Sequence, residues 1–484
     1  MAGERKPKRI VFCFDGTWNR LSADCLTNVA MLAQMVRPVA HDGTPQIVYY
    51  DEGIGTGGNK LAHLRDGAFG RGMLGILRNA YRFLIFNYEP GDEIFAFGFS
   101  RGAYTARSFV GFIRHAGILD IARASQIDRA IDLYRAADAG SGVELPAALK
   151  FRAANSLGVC VSAADRDWRK KNVPGFDPVC APLLEIKYLG VWDTVRALGV
   201  PDFVPFSGWF NRRYGFHDAV LTSKVKAARH AVALDELRPT FRATLFGHDK
   251  VAEYNSRNVR AEGPPLPVWK ERYQEQWFPG VHGAVGGGGD RRGLSDGALD
   301  WVLTGARLAG LDLRDGAGNK AFDLRPDPYD ALQNDSKVPW THRGPVGWLR
   351  RLALSPRPGP DRIDEVSLPA LRRWHTAAAQ LPEGKAYRPG TLKRLEPELA
   401  VWDWREPPQW KGGTGDPAPL LEDYTIVIGD TLSKLALARL GDAKRWPEYF
   451  ELNRDRIADP DYLPIGLVIR LPRAAQPPLS KDDE

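Results

Sequence analysis

The stretch DEIFAFGFSRGAYTARSFVGFI runs from Asp92 to Ile113. Its first part, through Phe99, is apolar and aromatic enough for a strand buried on both faces. From Arg101 to about Ile113 the pattern is that of a helix. Ser100 stands at the join, between Gly98 and Gly102. Gly-x-Ser-x-Gly between a strand and a helix has the form of a nucleophile elbow, a turn too sharp for bulky side chains beside the serine. The helix start directs backbone N–H groups, that of Arg101 among them, toward the place where an oxyanion would form. The competing reading is a plain tight turn in a glycine-rich chain.

Outward from the elbow, strands and helices alternate. RIVFCF (Arg9–Phe14), QIVYY (Gln46–Tyr50), LEIKYLGVW (Leu184–Trp192) and EQWFPGVH (Glu275–His282) read as strands. RGMLGILRNAYRFLIFNY (Arg71–Tyr88) and SKVKAARHAVAL (Ser223–Leu234) read as helices. The expected fold class is α/β, with a mostly parallel sheet covered by helices on both faces.

A serine nucleophile needs a base, and the base needs an orienting acid. In this architecture the chain order is Ser, then Asp or Glu, then His. Of nine histidines, His41 and His63 precede the serine and His115 ends the elbow helix. His282 follows a strand and enters the loop GAVGGGG, at a strand C-terminal end, where α/β sites collect. His217, His230, His248, His342 and His375 have no such setting and read as surface or core residues. Asp193 ends EIKYLGVWD and fits the acid. Its rivals, Asp290 and Asp296, come after the histidine. FDGTWN (Phe14–Asn19) also ends a strand, so Gly16 and Thr17 are candidates for the second oxyanion donor. Asp15 there reads equally as a turn-former that bonds its own backbone.

The 484 residues are enough for a large catalytic domain and an accessory module. The net charge of +7 is small for this length and basic residues are mixed with acidic ones, which speaks against a nucleic-acid partner. The four cysteines form no CxxC pair, so no metal site is expected, and no cofactor is called for. The N-terminus MAGERKPKRIVFCFDGTWN lacks a long apolar core, and no stretch approaches 18 apolar residues. The expectation is a chain made in the cytoplasm with neither signal peptide nor membrane span.

RIVFCFDGTWN, TNV (Thr27–Val29), GFSRGAYTAR, GVWDTV, WFPGVH with its following glycines, and LSD (Leu294–Asp296) together resemble the predicted α/β-hydrolases related to the type VI secretion phospholipase effectors of the first class. The resemblance covers about residues 7–310 in collinear order. It implies an α/β-hydrolase-like fold, a Ser100, Asp193, His282 triad, and a phospholipid or other lipid ester as substrate. It also implies export by a signal-independent secretion apparatus, with that apparatus and an immunity protein as partners. One departure is that the family commonly has Ser-Asp after the histidine, where this chain has Gly283-Ala284.

The segment 389–423 is dense in proline and glycine and reads as a linker between a catalytic domain over 1–388 and a small unit over 424–473, with a disordered tail over 474–484. YTIVIGDTLSKLA, WPEYFELN (Trp446–Asn453) and PIGLVIRLP resemble a lysin-motif (LysM) domain of βααβ pattern. That resemblance implies binding of peptidoglycan or another N-acetylglucosamine polymer around Gly429, Asp430 and Thr431 and the loop after the second helix, including Asn453. A purely structural module is the alternative. Aromatic residues crowd VPDFVPFSGWFNRRYGF (Val200–Phe216), and VGWLRRLAL (Val346–Leu354) is amphipathic. Both fit a lid or lipid-facing surface, and both fit ordinary packing.

The resulting reading is a serine ester hydrolase of lipids. Its rivals are a soluble carboxylesterase or envelope-ester hydrolase targeted by the glycan module, and a non-catalytic cell-wall binding protein on a hydrolase scaffold.

Overall fold

The structure is a computed structural model. It describes residues 7–16, 23–53, 68–136, 146–195, 221–222, 224–262, 271–314, 322–334 and 354–401. In the C-terminal part it describes 421–426, 430–440, 446–453, 456–457, 463 and 467–472. The chain divides into two compact units, Met1–Trp404 and Arg405–Glu484.

The first unit is built on six parallel strands: β1 (Arg9–Phe14), β2 (Gln46–Asp51), β3 (Glu93–Phe99), β4 (Ile186–Trp192), β5 (Ala228–Ala233) and β6 (Tyr273–Phe278). Their spatial order is β2-β1-β3-β4-β5-β6. The two-residue period of a strand divides the apolar runs between two cores. Ile10, Phe12 and Phe14 of β1, with Ile94 and Ala96 of β3, face one side. There they meet α2 (Ala68–Asn87), α3 (Arg101–Ala116) and α4 (Ile127–Ala136). Val11 and Cys13, with Phe95, Phe97 and Phe99, face the other side. There they meet α1 (Asn28–Met35) and a later helix over Gly293–Leu308. Both faces are thus dry, which is why these strands carry no polar alternation. The helices α5 (Pro146–Asn155) and α6 (Ala163–Asn172) fill the insertion between α4 and β4.

One expected element is corrected. SKVKAARHAVAL, expected as a helix, supplies strand β5 over Ala228–Ala233. All six residues are buried between β4 and β6. The polar residues that suggested a helix are satisfied within the sheet's two faces: Arg229 donates to the Trp301 carbonyl at 2.5 Å, and His230 pairs with Glu275.

The rest of the first unit comprises α7 (His248–Glu262), the short α8 (His282–Gly286), α9 (Gly293–Leu308), α10 (Leu368–His375) and α11 (Glu396–Val401). The linker was expected from residue 389, but residues up to 401 belong to this unit. A 3₁₀ turn over Gly390–Leu395 and then α11 bury Leu392, Leu395 and Leu399 in a third core with Val232, Trp277 and Trp374. The aromatic segment over 200–216 and all but Leu354 of the amphipathic 346–354 lie outside the described residues. No helix among the described residues is long and apolar enough to cross a membrane.

The second unit has the order β7 (Leu421–Thr425), α12 (Leu432–Leu440), α13 (Trp446–Leu452), β8 (Val468–Pro472). The two strands pair antiparallel, with Tyr424 opposite Ile469. Ile426, Leu432, Ala436, Tyr449, Ile469 and Leu471 form its small core.

Candidate active site

Three strand ends converge. Ser100 follows β3, Asp193 follows β4, and His282 stands four residues past β6, at the start of α8. Gly98 pairs with Val191 and Phe99 with Trp192, so the register alone places the two turns side by side. The Ser100 N–H donates to the Trp192 carbonyl at 3.0 Å, and the Val195 N–H returns a bond to the Ser100 carbonyl at 3.3 Å. β1 lies between β2 and β3, so strand order reverses beside the elbow. Such a switch point opens a crevice beyond the strand ends.

The glycines beside the serine are there because backbone passes too close for any side chain. A Cβ on Gly102 would lie 2.1 Å from the Phe14 carbonyl oxygen, and one on Gly98 would lie 2.4 Å from the Gly102 carbonyl oxygen. Ser100 itself has φ 60° and ψ −123°. Asp193, at φ 38°, is the one other non-glycine residue with positive φ among the described residues. Strained backbone of this kind costs on the order of 1–3 kcal/mol per residue and persists where surrounding structure overrides it.

The side chains of the three residues form a chain. Ser100 Oγ lies 2.8 Å from His282 Nε2, and His282 Nδ1 lies 2.5 Å from Asp193 Oδ2. With Nδ1 donating to the carboxylate, Nε2 is left to accept the serine proton. The imidazole is held between the rings of Phe99, at 4.6 Å, and Phe241, edge-on at 4.9 Å. All three residues are buried. Burial alone would raise the Asp193 carboxyl, but the charge of Arg357, and then the hydrogen bond from His282, hold it far below the usual carboxylate range.

Arg357 was not foreseen. Its Nη1 donates to Asp193 Oδ1 at 2.6 Å and its Nη2 to Oδ2 at 2.9 Å. Glu236 was missed as well. Buried behind the histidine, it accepts the His282 N–H at 3.4 Å and pairs with Arg238. His230, expected as a surface or core residue, is wholly buried beneath the acid's turn. Its Nε2 accepts the Thr194 N–H at 3.1 Å while its Nδ1 donates to Glu275 at 2.7 Å. Burial, outweighing Glu275, lowers its proton affinity, in keeping with a neutral ring.

The oxyanion candidates fare differently. Arg101 is the first residue of α3, so its N–H lies in the first turn, next to the serine. Burial lowers its guanidinium to about 10. The Gly16 N–H is turned to Asp15 Oδ1 at 2.6 Å, which takes it away from an oxyanion in this conformation. Asp15 also accepts from Thr27 Oγ1 at 2.5 Å and Tyr50 Oη at 2.7 Å, so it organises the FDG turn. Thr17 lies outside the described residues.

Asp296, the rival acid, is spent elsewhere, accepting from Arg292 Nε at 3.1 Å and the Arg325 N–H at 2.9 Å. Asp290, the other rival, is exposed. The departure at Gly283 has a steric cause. A Cβ there would stand 2.3 Å from Asn334 Nδ2, so Asn334 occupies the space a serine would need.

In the second unit, Asn453, expected as a glycan contact, lies inside the fold. It is fully buried, donates to the carbonyls of Tyr449 and Arg470 at 2.9 and 2.7 Å, and accepts from the Arg470 N–H at 2.5 Å. Thr431 accepts from the Lys434 N–H at 3.2 Å at the start of α12, and Asp430 accepts from Tyr424 Oη at 3.0 Å. Gly429 lies outside the described residues.

Residues 8–305 match the family described as "T6SS, Phospholipase effector Tle1-like, catalytic domain". The chain belongs to that family. Among curated proteins it is similar to the uncharacterized protein YEL023C of Saccharomyces cerevisiae, 27% identical over 252 residues, covering 49% of this chain and 33% of that protein. Among solved structures it is similar to an uncharacterized protein from Pseudomonas aeruginosa (16% identity, TM-score 0.38, 95% of this chain and 65% of that one). A second is the Tle1 effector bound to the VgrG spike of the type 6 secretion system (19% identity, TM-score 0.30, 58% and 51%). The chain therefore spans about a third of the yeast relative and between half and two thirds of each solved one.

Proposed function

We propose that this chain is a serine hydrolase that cleaves ester bonds of phospholipids or related lipids. The observation that carries the proposal is the relay Ser100 Oγ to His282 Nε2 at 2.8 Å and His282 Nδ1 to Asp193 Oδ2 at 2.5 Å, set on a strained elbow. Ser100 attacks the ester carbonyl carbon, and His282 takes its proton. The tetrahedral oxyanion is met by the N–H of Arg101. His282 then gives the proton to the leaving alcohol, and water, activated by the same imidazole, releases the acid. Asp193 keeps Nδ1 protonated and steadies the imidazolium.

Membership of the family supports lipid esters as the substrate class and a type VI secretion apparatus as a partner, with an immunity protein as the natural counterpart of such an effector. For the second unit, the βααβ order supports a lysin-motif reading, with a peptidoglycan-type polymer as ligand. Since Asn453 is buried, Asp430 and Thr431 are the expected residues better supported for a glycan contact.

The test is covalent labelling by a fluorophosphonate, with hydrolysis of mixed phospholipid vesicles read by lipid profiling. The wild type should label and release fatty acid or lysolipid. Ser100→Ala should do neither, losing turnover by roughly a million-fold while melting as the wild type does. A variant that still labels and turns over would end the assignment.

A further inference from the structure

We infer that Arg357, far outside the part of the chain that defines the family, is a positioning residue of the triad, fixing the plane of the Asp193 carboxylate and offsetting its charge. The inference rests on the serine-hydrolase reading above. Its observations are the fork between the two side chains and the way the arginine is itself held.

The four acceptor directions of the Asp193 carboxylate are all filled. Oδ1 accepts from the Ala233 N–H at 3.0 Å and from Arg357 Nη1, while Oδ2 accepts from Arg357 Nη2 and from His282. A bidentate pair of this kind defines an orientation as well as an attraction. Turning the carboxylate away from His282 would break two charged hydrogen bonds at once. The guanidinium is anchored in turn, with Nη1 donating to the Ala233 carbonyl at 3.2 Å and Nη2 to that of Phe241, the residue whose ring packs on His282.

The backbone carrying it is stiff. The local sequence is Ser355-Pro356-Arg357-Pro358-Gly359-Pro360, and three prolines fix φ on either side of the arginine. The Ser355 N–H bonds the Leu237 carbonyl at 3.0 Å. Gly359 lies so close to Thr391 that a Cβ would meet its carbonyl oxygen. Thr391 in turn bonds the Leu234 carbonyl at 3.0 Å, at the end of β5. The segment from 354 to 401 thus packs on the β5–β6 side of the sheet and delivers one buried cation to the acid of the triad.

This arrangement has a cost and a use. The guanidinium offsets part of the Asp193 charge that would otherwise steady an imidazolium formed during turnover, which is the cost. What it supplies is geometry, and a misplacement near 1 Å at such a site costs about 100-fold in rate.

Three variants separate these effects: Arg357→Met, Arg357→Lys and Ser100→Ala, each checked by circular dichroism and melting. Arg357→Met should lower kcat/KM by about 10- to 100-fold. The acid limb of its pH profile should move up, because the positive charge beside the Asp193 carboxylate is gone. Arg357→Lys restores the charge without the fork. It should return the acid limb toward the wild-type position and recover the rate only in part. A folded Arg357→Met variant with wild-type rate and profile would overturn the inference, as would an Arg357→Lys profile displaced as far as that of Arg357→Met. If the methionine variant fails to fold, Arg357→Lys decides alone, and a wild-type rate in it would overturn the inference. Ser100→Ala tests the underlying reading separately. If it stays active the hydrolase assignment falls, whereas if it is inactive and the Arg357 variants behave as wild type only the positioning role falls.

Discussion

Asn28 Nδ2 donates to the carbonyl of Val285 at 2.9 Å, joining the start of α1 to the helix that begins with His282. The same amide donates to the Ser295 carbonyl at 3.2 Å, and Asn28 is fully buried. Beside it, Thr27 caps α1 and bonds Asp15, while the Gly288 N–H bonds the Leu26 carbonyl. The TNV motif therefore holds the histidine's loop from beneath. Asn28→Ala would leave two buried carbonyls without this donor, at about 1–3 kcal/mol. The expected result is a melting point several degrees lower together with a reduced kcat, as the loop that aims His282 loosens. Unchanged kcat with a lowered melting point would reduce Asn28 to a scaffold residue.

Asp193→Asn should lower turnover by about ten-thousand-fold, because an amide favours the wrong imidazole tautomer. It should also destabilise the protein at neutral pH, by about 3 kcal/mol, since Arg357 loses its buried counter-charge. The carboxyl of Asp193 is lowered on folding, so its contribution is present above the unfolded value of about 4 and lost as pH falls from there toward its depressed folded value. The stability gap between wild type and variant should accordingly narrow in acid. Asp296→Asn should retain activity, because Asp296 faces Arg292 and the Arg325 N–H. Measuring both variants by kcat/KM and by melting at several pH values checks the pair, and a dead Asp296→Asn with an active Asp193→Asn would reverse the assignment.

The sequence was most readable where burial is complete and the chemistry local. β1, β3 and β4 run apolar on both faces, and Gly98 and Gly102 mark the elbow because backbone crowding leaves room for nothing else. Chain order along such a sheet points to Asp193 and His282, whose side chains the fold brings within hydrogen-bond reach of one another and of Ser100. β5 was masked by Arg229 and His230, whose burial depends on Trp301 and Glu275 from elsewhere in the chain. Arg357 was invisible for the same reason at longer range. Its partner lies 164 residues away, and nothing in a proline-rich segment tells which carboxylate it will meet. Asn453 resembled a loop ligand because a buried polar hub and an exposed one have the same letter.

Asp235 offers a pH-dependent test of the region behind His282. It accepts from the Gly280 N–H at 2.7 Å and from Tyr387 Oη at 2.8 Å. Burial, against the smaller pull of those two donors, raises its carboxyl to about 6. A carboxyl raised on folding stabilises the protein fully below the unfolded value of about 4, and that contribution is lost as pH rises through about 6. Asp235→Asn keeps an oxygen acceptor and has no proton to lose. Its melting point relative to wild type should improve as pH rises from 4 to 8. A constant difference across that range would show that the folded carboxyl titrates as an ordinary one.

The last prediction concerns the second unit, where a single amide ties its C-terminal strand to a helix. Asn453 bonds the Tyr449 carbonyl in α13 and both backbone groups of Arg470 in β8. A core of this size is marginal, so one hub carries a large share of its stability. Asn453→Ala removes three bonds and leaves the half-buried Arg470 N–H and carbonyl without this partner, at about 1 kcal/mol or more in all. In the full-length protein the variant should lose the second unit's protection in hydrogen exchange while the proposed ester hydrolysis is unchanged, since Ser100, Asp193 and His282 lie in the first unit. A pull-down on insoluble peptidoglycan separates the structural role from the expected ligand role. If binding falls only together with hydrogen-exchange protection, and Asp430→Ala weakens it with protection intact, the glycan face is on the Asp430 side. If Asn453→Ala abolishes binding while the unit remains protected, Asn453 is a ligand contact after all and its burial belongs to the unbound form alone.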